Sequence, residues 1–120
     1  MNSGFLSGLV ITQLSSRFHV SAQITVADLF DIAAQGFKSI INNRPDHEAA
    51  GQPKSAELSV VAADLGMKLL HIPVDPKFVT NNDVDELNRA CEDLEGPILL
   101  FCRSGARSTK LWKLSVHSDS

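Results

Sequence analysis

The sequence predicts an α/β fold in which helices flank a mainly parallel central sheet. Three successive units each run from a capped amphipathic helix through a glycine to an apolar strand. Those strands are continuous apolar runs rather than alternating ones, the pattern of strands covered on both faces. Ahead of them, LVITQL and RFHVSAQ read as two short strands that pair as a hairpin at a sheet edge.

The elements follow in order. Thr25 with Asp28 makes an N-cap with an acidic third residue, and Val26, Leu29, Phe30 and Ala33 fall on one helical face. Gly36 takes the left-handed position that ends a helix, and FKSII follows as a buried strand. Ser55 opens a second helix with Leu58, Val61, Ala62 and Leu65 inward, closed by Gly66 and followed by MKLLHIPV. Thr80 with Asp83 opens a third, carrying Val84, Leu87, Cys91 and Leu94 and closed by Gly96 and Pro97. PILLF is the last strand, and a final helix begins after Cys102 and carries Leu111, Trp112 and Ser115 as far as Val116.

The totals bound the answer. At 120 residues the chain reads as a single domain, 1–120, with a core over about 9–116 and a polar tail, 117–120, expected to fray. A net charge of −3, with one Trp and no Tyr, gives no electrostatic case for nucleic acid or an anionic membrane. No apolar run approaches a membrane span, and GFLSGLVI is too short and lacks the basic lead-in of a secretory signal. Two cysteines, one inside a helix and one at a strand end, do not suggest a disulfide framework. The expectation is a cytoplasmic protein with free thiols.

In open α/β sheets, ligands bind outside the carboxyl ends of the strands. Three such ends here are polar: NNRPDHE, VDPKFVTNND and CRSGARS. Their convergence on one rim makes Asn43, Arg44, Asp46, His71, Asp75 and Cys102 neighbours. The last loop is the most informative. Successive backbone N–H groups after Cys102, together with the first turn of the following helix, form a cradle for an oxyanion. Gly105 lets that backbone wrap tightly, and Arg107 supplies a planar fork for two oxygens. The same positive field favours a thiolate nucleophile at Cys102. Arg103, Ser104, Gly105, Ala106 and Ser108 complete the anion-binding loop, with both serines as donors to the sulfur or the anion, and Arg103 and Arg44 steer anions to the rim. The plainer alternative is a buried strand-end thiol beside solvated arginines.

With NNRPDHEAAGQP, SAELSVVAADLG and HIPV, the segment CRSGARS resembles the small bacterial phosphatase-like domain of beta-lactamase-hydrolase-like proteins, over about residues 9 to 116. The resemblance implies the fold of dual-specificity tyrosine phosphatases, with a strand–Cys loop–helix active site. It also implies a persulfide dioxygenase as partner, since the family's domain occurs alone or fused to one.

Loop length then divides two chemistries. Tyrosine-type phosphatases place five residues between Cys and Arg, whereas four separate Cys102 from Arg107, and Ser108 stands at the phosphatase spacing. The shorter loop resembles that of rhodaneses. It implies a sulfurtransferase that moves sulfane sulfur from thiosulfate or a glutathione persulfide through a Cys102 persulfide. The alternative is a cysteine-dependent tyrosine or dual-specificity-like phosphatase working through a phosphocysteine, which needs a general acid. Asp75, 27 residues before Cys102, is the first candidate and Asp46 the second, although Asp before Pro is also an ordinary turn residue. A third class is a non-enzymatic thiol switch. Neither reading calls for a cofactor. The four histidines, 19, 47, 71 and 117, lack metal-ligand spacing, so no metal is expected. His71 reads as structural with a possible role at the rim, and Cys91 and Trp112 read as core.

Overall fold

The computed structural model describes residues 8–119, so part of the GFLSGLVI stretch lies outside the described residues. Its strands are β1 (Ile11–Gln13), β2 (Phe18–Ser21), β3 (Ser39–Asn42), β4 (Lys68–His71) and β5 (Ile98–Phe101). Its helices are α1 (Val26–Ala34), α2 (Ser55–Asp64), α3 (Asn81–Asp93) and α4 (Ala106–Leu114). The strands form one sheet in the order β1-β2-β5-β3-β4. The β1–β2 hairpin is antiparallel, with Ile11 opposite Ser21. Every other pairing is parallel: β2 with β5, β5 with β3, and β3 with β4. The expected α/β architecture, mainly parallel and flanked by helices, is the one observed.

Two apolar layers sandwich the sheet. Ile98 and Leu100 of β5 pack with Leu87, Cys91, Leu111 and Trp112 of α3 and α4. The alternate residues Leu99 and Phe101 pack with Leu29, Ile32, Leu58 and Ala62 of α1 and α2. All four β5 side chains are fully buried, which accounts for the unbroken apolar run. No helix among the described residues is long and apolar enough to cross a membrane.

The helix ends obey their sequence signals with one revision. Thr25–Asp28 and Thr80–Asp83 form reciprocal capping boxes, each with bonds of 2.8 and 3.2 Å. At α2 the helix begins one residue earlier than a Ser55 cap would allow. Lys54 holds the cap position and its N–H bonds the Glu57 carboxylate, while the Ser55 N–H donates to Asp46 Oδ1 at 2.9 Å. Gly36 and Gly66 adopt the left-handed conformation where their helices end. At the end of α3, the Arg17 guanidinium donates to the carbonyls of Cys91 (2.8 Å) and Leu94 (2.6 Å), a cation at the negative end of the helix.

Two expectations need correction. On α1 the buried residues include Leu29 and Ile32, while Val26 and Phe30 are exposed, Phe30 by 57%. At 100° per residue the buried positions 28, 29, 31 and 32 share one side of α1, and 26 and 30 fall on the opposite side. At the other terminus, α4 ends at Leu114 and Ser115 Oγ turns back to the Trp112 carbonyl. The last helix thus stops two residues short of the expected Val116, and Val116–Asp119 form a 3-10 turn with the His117 ring 5.3 Å from that of Phe18. Residue 120 lies outside the described residues.

The revised α1 face is open to test by urea unfolding. Ile32→Ala should cost about 2–4 kcal/mol, as for a fully buried aliphatic truncation, and Phe30→Ala no more than about 0.5 kcal/mol. Equal losses would show that the inward face is assigned wrongly.

Candidate active site

Because β5 lies at the middle of the sheet, its carboxyl end opens at the centre of the rim, and Cys102 is the next residue. The thiol is almost fully buried, at 1% exposure. The chain then bends through residues 103–105 into α4, and the Gly105 N–H points back at Cys102 Sγ, 3.1 Å away. Gly105 has φ +96°, and a Cβ placed there would stand 3.3 Å from the Ser21 carbonyl oxygen at the end of β2. Left-handed backbone and close approach thus coincide at one residue, which explains the glycine. The Arg103 carbonyl accepts from the Gln23 N–H at 3.2 Å, tying the loop to the β2–α1 connection. Ser104 Oγ accepts from the Ala106 N–H at 3.3 Å, and Thr109 Oγ1 donates to the Gly105 carbonyl at 2.8 Å. Both bonds fix the entry into α4.

Cys102 opens into a cleft of about 280 Å³. Arg103, Ser104, Ala106 and Arg107 form its near wall, and Asp75, with the segment 76–79 that follows β4, forms the far wall. A larger, mainly apolar groove of about 650 Å³ lies across the ridge of Ser104, Ala106 and Lys110, away from the thiol. Asp75 is exposed and its Oδ1 accepts from the Lys77 N–H at 2.7 Å, so its turn-forming role is real. Among the described residues its other carboxylate oxygen has no hydrogen-bond partner.

Arg107 is oriented by a residue that the sequence reading passed over. Its Nη1 donates to Glu48 Oε2 (3.0 Å) and to the Val74 carbonyl (3.0 Å), and its Nη2 donates to Glu48 Oε1 (3.2 Å). Glu48 Oε1 also receives the Nε of Arg44 at 2.9 Å. Burial pushes the Glu48 carboxyl up, but the hydrogen bonds and charges of Arg107 and Arg44 outweigh it and hold the group below the usual 4.5. Spacing gave no signal for it, since the loop that carries Glu48 is not helical and Arg107 lies 59 positions away in sequence. Gln23 was missed as well; its Oε1 accepts from Arg44 Nη1 at 3.1 Å.

The remaining predicted residues divide. Arg44 is only 5% exposed and is engaged by Glu48 and Gln23, so it does not reach outward as an anion-steering side chain would. Asn43, fully buried, donates to the Ile72 carbonyl (2.9 Å) and accepts from Ser108 Oγ (2.8 Å). Ser108 is likewise fully buried, so its hydroxyl serves α4–β3 cohesion and is not a donor to the sulfur or to an anion. Asp46 is committed to the start of α2. His71 projects from edge strand β4, its Nε2 2.8 Å from the Arg44 carbonyl. The rim is therefore two-tiered: Asp75, Arg103 and Arg107 share the cleft with Cys102, while Asn43, Arg44, Asp46 and His71 brace the loops around it. Cys91 is buried between α3 and the sheet, where burial, opposed by Arg17, raises its thiol to about 11. Both cysteines are free. Among the described residues no three His, Cys, Asp or Glu side chains group as a metal would need.

A cysteine cradled between the central strand of a parallel sheet and a helix, facing an arginine fork, defines a phosphatase-like domain of the cysteine-loop class. The chain belongs to the family described as the phosphatase-like domain of beta-lactamase hydrolase-like protein, whose model matches residues 11–118. It is 35% identical over 107 residues to the beta-lactamase hydrolase-like protein of Agrobacterium fabrum, covering 89% of this chain and 25% of that one. It is 32% identical over 109 residues to the protein of that name from Xylella fastidiosa, covering 91% and 25%. The chain thus spans about a quarter of the length of these curated relatives. Among solved structures, a candidate phosphatase from Neisseria meningitidis superposes with a TM-score of 0.79 at 35% identity, covering 85% of this chain and 72% of that one. The core catalytic domain of a PP-IP phosphatase from S. cerevisiae gives 0.66 at 15% identity, over 84% and 60%, a likeness of fold alone.

Two outcomes follow from the site. Gly105→Ala should lose about 1–2 kcal/mol of stability through its left-handed backbone, read as a fall in urea midpoint; an unchanged midpoint would refute the strain. Glu48→Gln should lose roughly 2 kcal/mol at neutral pH, because two arginines lose their shared partner. A carboxyl held low when folded contributes stability that is complete above its ordinary value of 4.5 and disappears as pH falls through the lower folded value. The gap between wild type and Glu48→Gln should therefore be constant from pH 7 to 5 and shrink below 4.5. A gap independent of pH down to 3 would mean that the charge on Glu48 contributes nothing.

Proposed function

We propose that the domain is a cysteine-dependent phosphatase acting on phosphomonoesters. The observation that carries this reading is a shared cleft: Cys102, the Arg107 fork and the carboxylate of Asp75 line the same cavity. The loop amides and Arg107 hold the three non-bridging oxygens, and Cys102 Sγ attacks phosphorus from the floor. The P–O ester bond breaks as S–P forms, and Asp75 gives its proton to the departing oxygen. Asp75, now ionised, takes a proton from water as that water attacks the phosphocysteine. Phosphate leaves and the thiolate is restored. The candidate phosphatase from Neisseria meningitidis, at 35% identity, adds weight to this reading. A free thiol of this kind suits a reducing compartment such as the cytoplasm.

One observation favours a second reading, sulfur transfer: only four residues separate Cys102 from Arg107, and the Gly105 N–H already stands 3.1 Å from Sγ. Here the thiolate attacks the outer sulfur of thiosulfate. The S–S bond breaks, sulfite leaves with the electron pair, and an acceptor thiol later takes the sulfur from the Cys102 persulfide. This chemistry needs no general acid, and it would suit a persulfide dioxygenase as a working partner.

Asp75 separates the two. Cys102→Ser should abolish either activity. Asp75→Asn should lower kcat on an alkyl phosphate by roughly 10²-fold or more, and much less on an aryl phosphate whose leaving group needs no proton. Intact mass spectrometry of wild type after exposure to thiosulfate completes the comparison. A sulfur adduct on Cys102, with no phosphatase activity and indifference to Asp75→Asn, would overturn the phosphatase reading in favour of the second.

A further inference from the structure

We propose that Arg44, which does not touch the cleft, is a positioning residue that keeps the anion site electropositive by neutralising Glu48. The inference rests on the reading that the Cys102 loop receives an oxyanion, whichever group is transferred.

Donor accounting leads to it. Both Nη1 hydrogens of Arg107 are used, one on Glu48 Oε2 and one on the Val74 carbonyl, and one Nη2 hydrogen is used on Glu48 Oε1. Among the described residues, the Nε–H and the second Nη2–H have no protein partner. These two lie side by side on one edge of the guanidinium, the geometry that grips two oxygens of an oxyanion. Glu48 thus decides which edge of Arg107 remains for a ligand.

That arrangement has an electrostatic cost. A carboxylate on one edge of Arg107 cancels its charge and repels an anion held on the other edge. Arg44 corrects the balance. Its Nε bonds the same Oε1 that Arg107 uses, and its Nη1 is held by Gln23. The three groups together carry +1 instead of zero. The three side chains are shielded, with exposures of 6% for Arg44, 18% for Glu48 and 11% for Arg107, so water screens them weakly. The loop that carries Arg44 and Glu48 is fixed from several sides. The Arg44 N–H donates to Asn42 Oδ1, the Glu48 N–H to Gln52 Oε1, and Gln52 Nε2 to the Pro45 carbonyl. Such bracing places the charges without relying on the ligand.

The test is calorimetric titration of inorganic phosphate into the full chain and its variants, with kcat and KM measured beside it. Arg44→Gln should weaken phosphate binding by roughly tenfold and raise KM more than it lowers kcat. Adding Glu48→Gln to that variant removes the uncompensated carboxylate and should restore most of the affinity, a recovery that a merely structural role for Arg44 does not produce. Arg44→Lys, which keeps the charge, should bind phosphate within a few-fold of wild type. Should Arg44→Gln not fold, Glu48→Gln alone decides: phosphate must bind more tightly while kcat falls, and equal or weaker binding overturns the proposal. Unchanged affinity in a folded Arg44→Gln chain, or no recovery in the double variant, also overturns it while leaving the oxyanion reading intact. If wild type binds neither phosphate nor thiosulfate, that reading fails and takes the proposal with it.

Discussion

Everything at the rim depends on β5 being hydrogen-bonded along both edges, to β2 on one side and β3 on the other. An edge strand can shift or fray, but a strand held on both sides cannot move without breaking two ladders. Cys102 inherits that fixity because it follows the last residue of β5. The ladder continues past the strand's end, since the Asn43 N–H bonds the Phe101 carbonyl at 2.8 Å. Cys102 therefore stands at the end of an interior strand, with its helix and loops arranged around it.

The surrounding loops are fixed more by side chains than by regular structure. Asn43 joins the end of β4 to α4 through Ile72 and Ser108, and Gln23 joins the β2–α1 turn to Arg44. Each of these amides is used at both ends. Buried polar groups of this kind are costly when half-satisfied and rigidifying when complete. Asn43 and Ser108 are fully buried and bonded to each other, while Asp75, across the cleft, is exposed and, among the described residues, bonded only within its own turn. The floor of the site is thus rigid, and the wall bearing the candidate acid is more loosely tied.

Much of the fold was legible because it rests on local signals. The two Thr–Asp capping boxes, the left-handed glycines and the unbroken apolar strands each state their role within a few residues. The α1 face was misread because Val26 and Phe30 are apolar yet exposed, while two acidic residues, Asp28 and Asp31, lie on the buried side. At the site, Cys102, Gly105 and Arg107 were legible together because one loop holds them. Asp75 and Cys102 were brought to one rim by topology alone. Glu48 was not foreseen, since its meaning comes from Arg107, which is 59 positions away in sequence. Ser108 was misjudged for a related reason: spacing along the loop says nothing about which helical positions turn inward.

The inward turn of Ser108 bears on how this domain can change over generations. At the position where a longer-loop enzyme carries its arginine, this chain has a hydroxyl with no exposed surface, bonded to a fully buried asparagine. A guanidinium there would need room that the packing does not offer. Descent by single substitutions therefore cannot shift the arginine by one place. A residue gained between Cys102 and Gly105 would lengthen the loop and leave Ser108 on the inward face of α4, so the two loop lengths differ by an insertion rather than by an exchange of side chains.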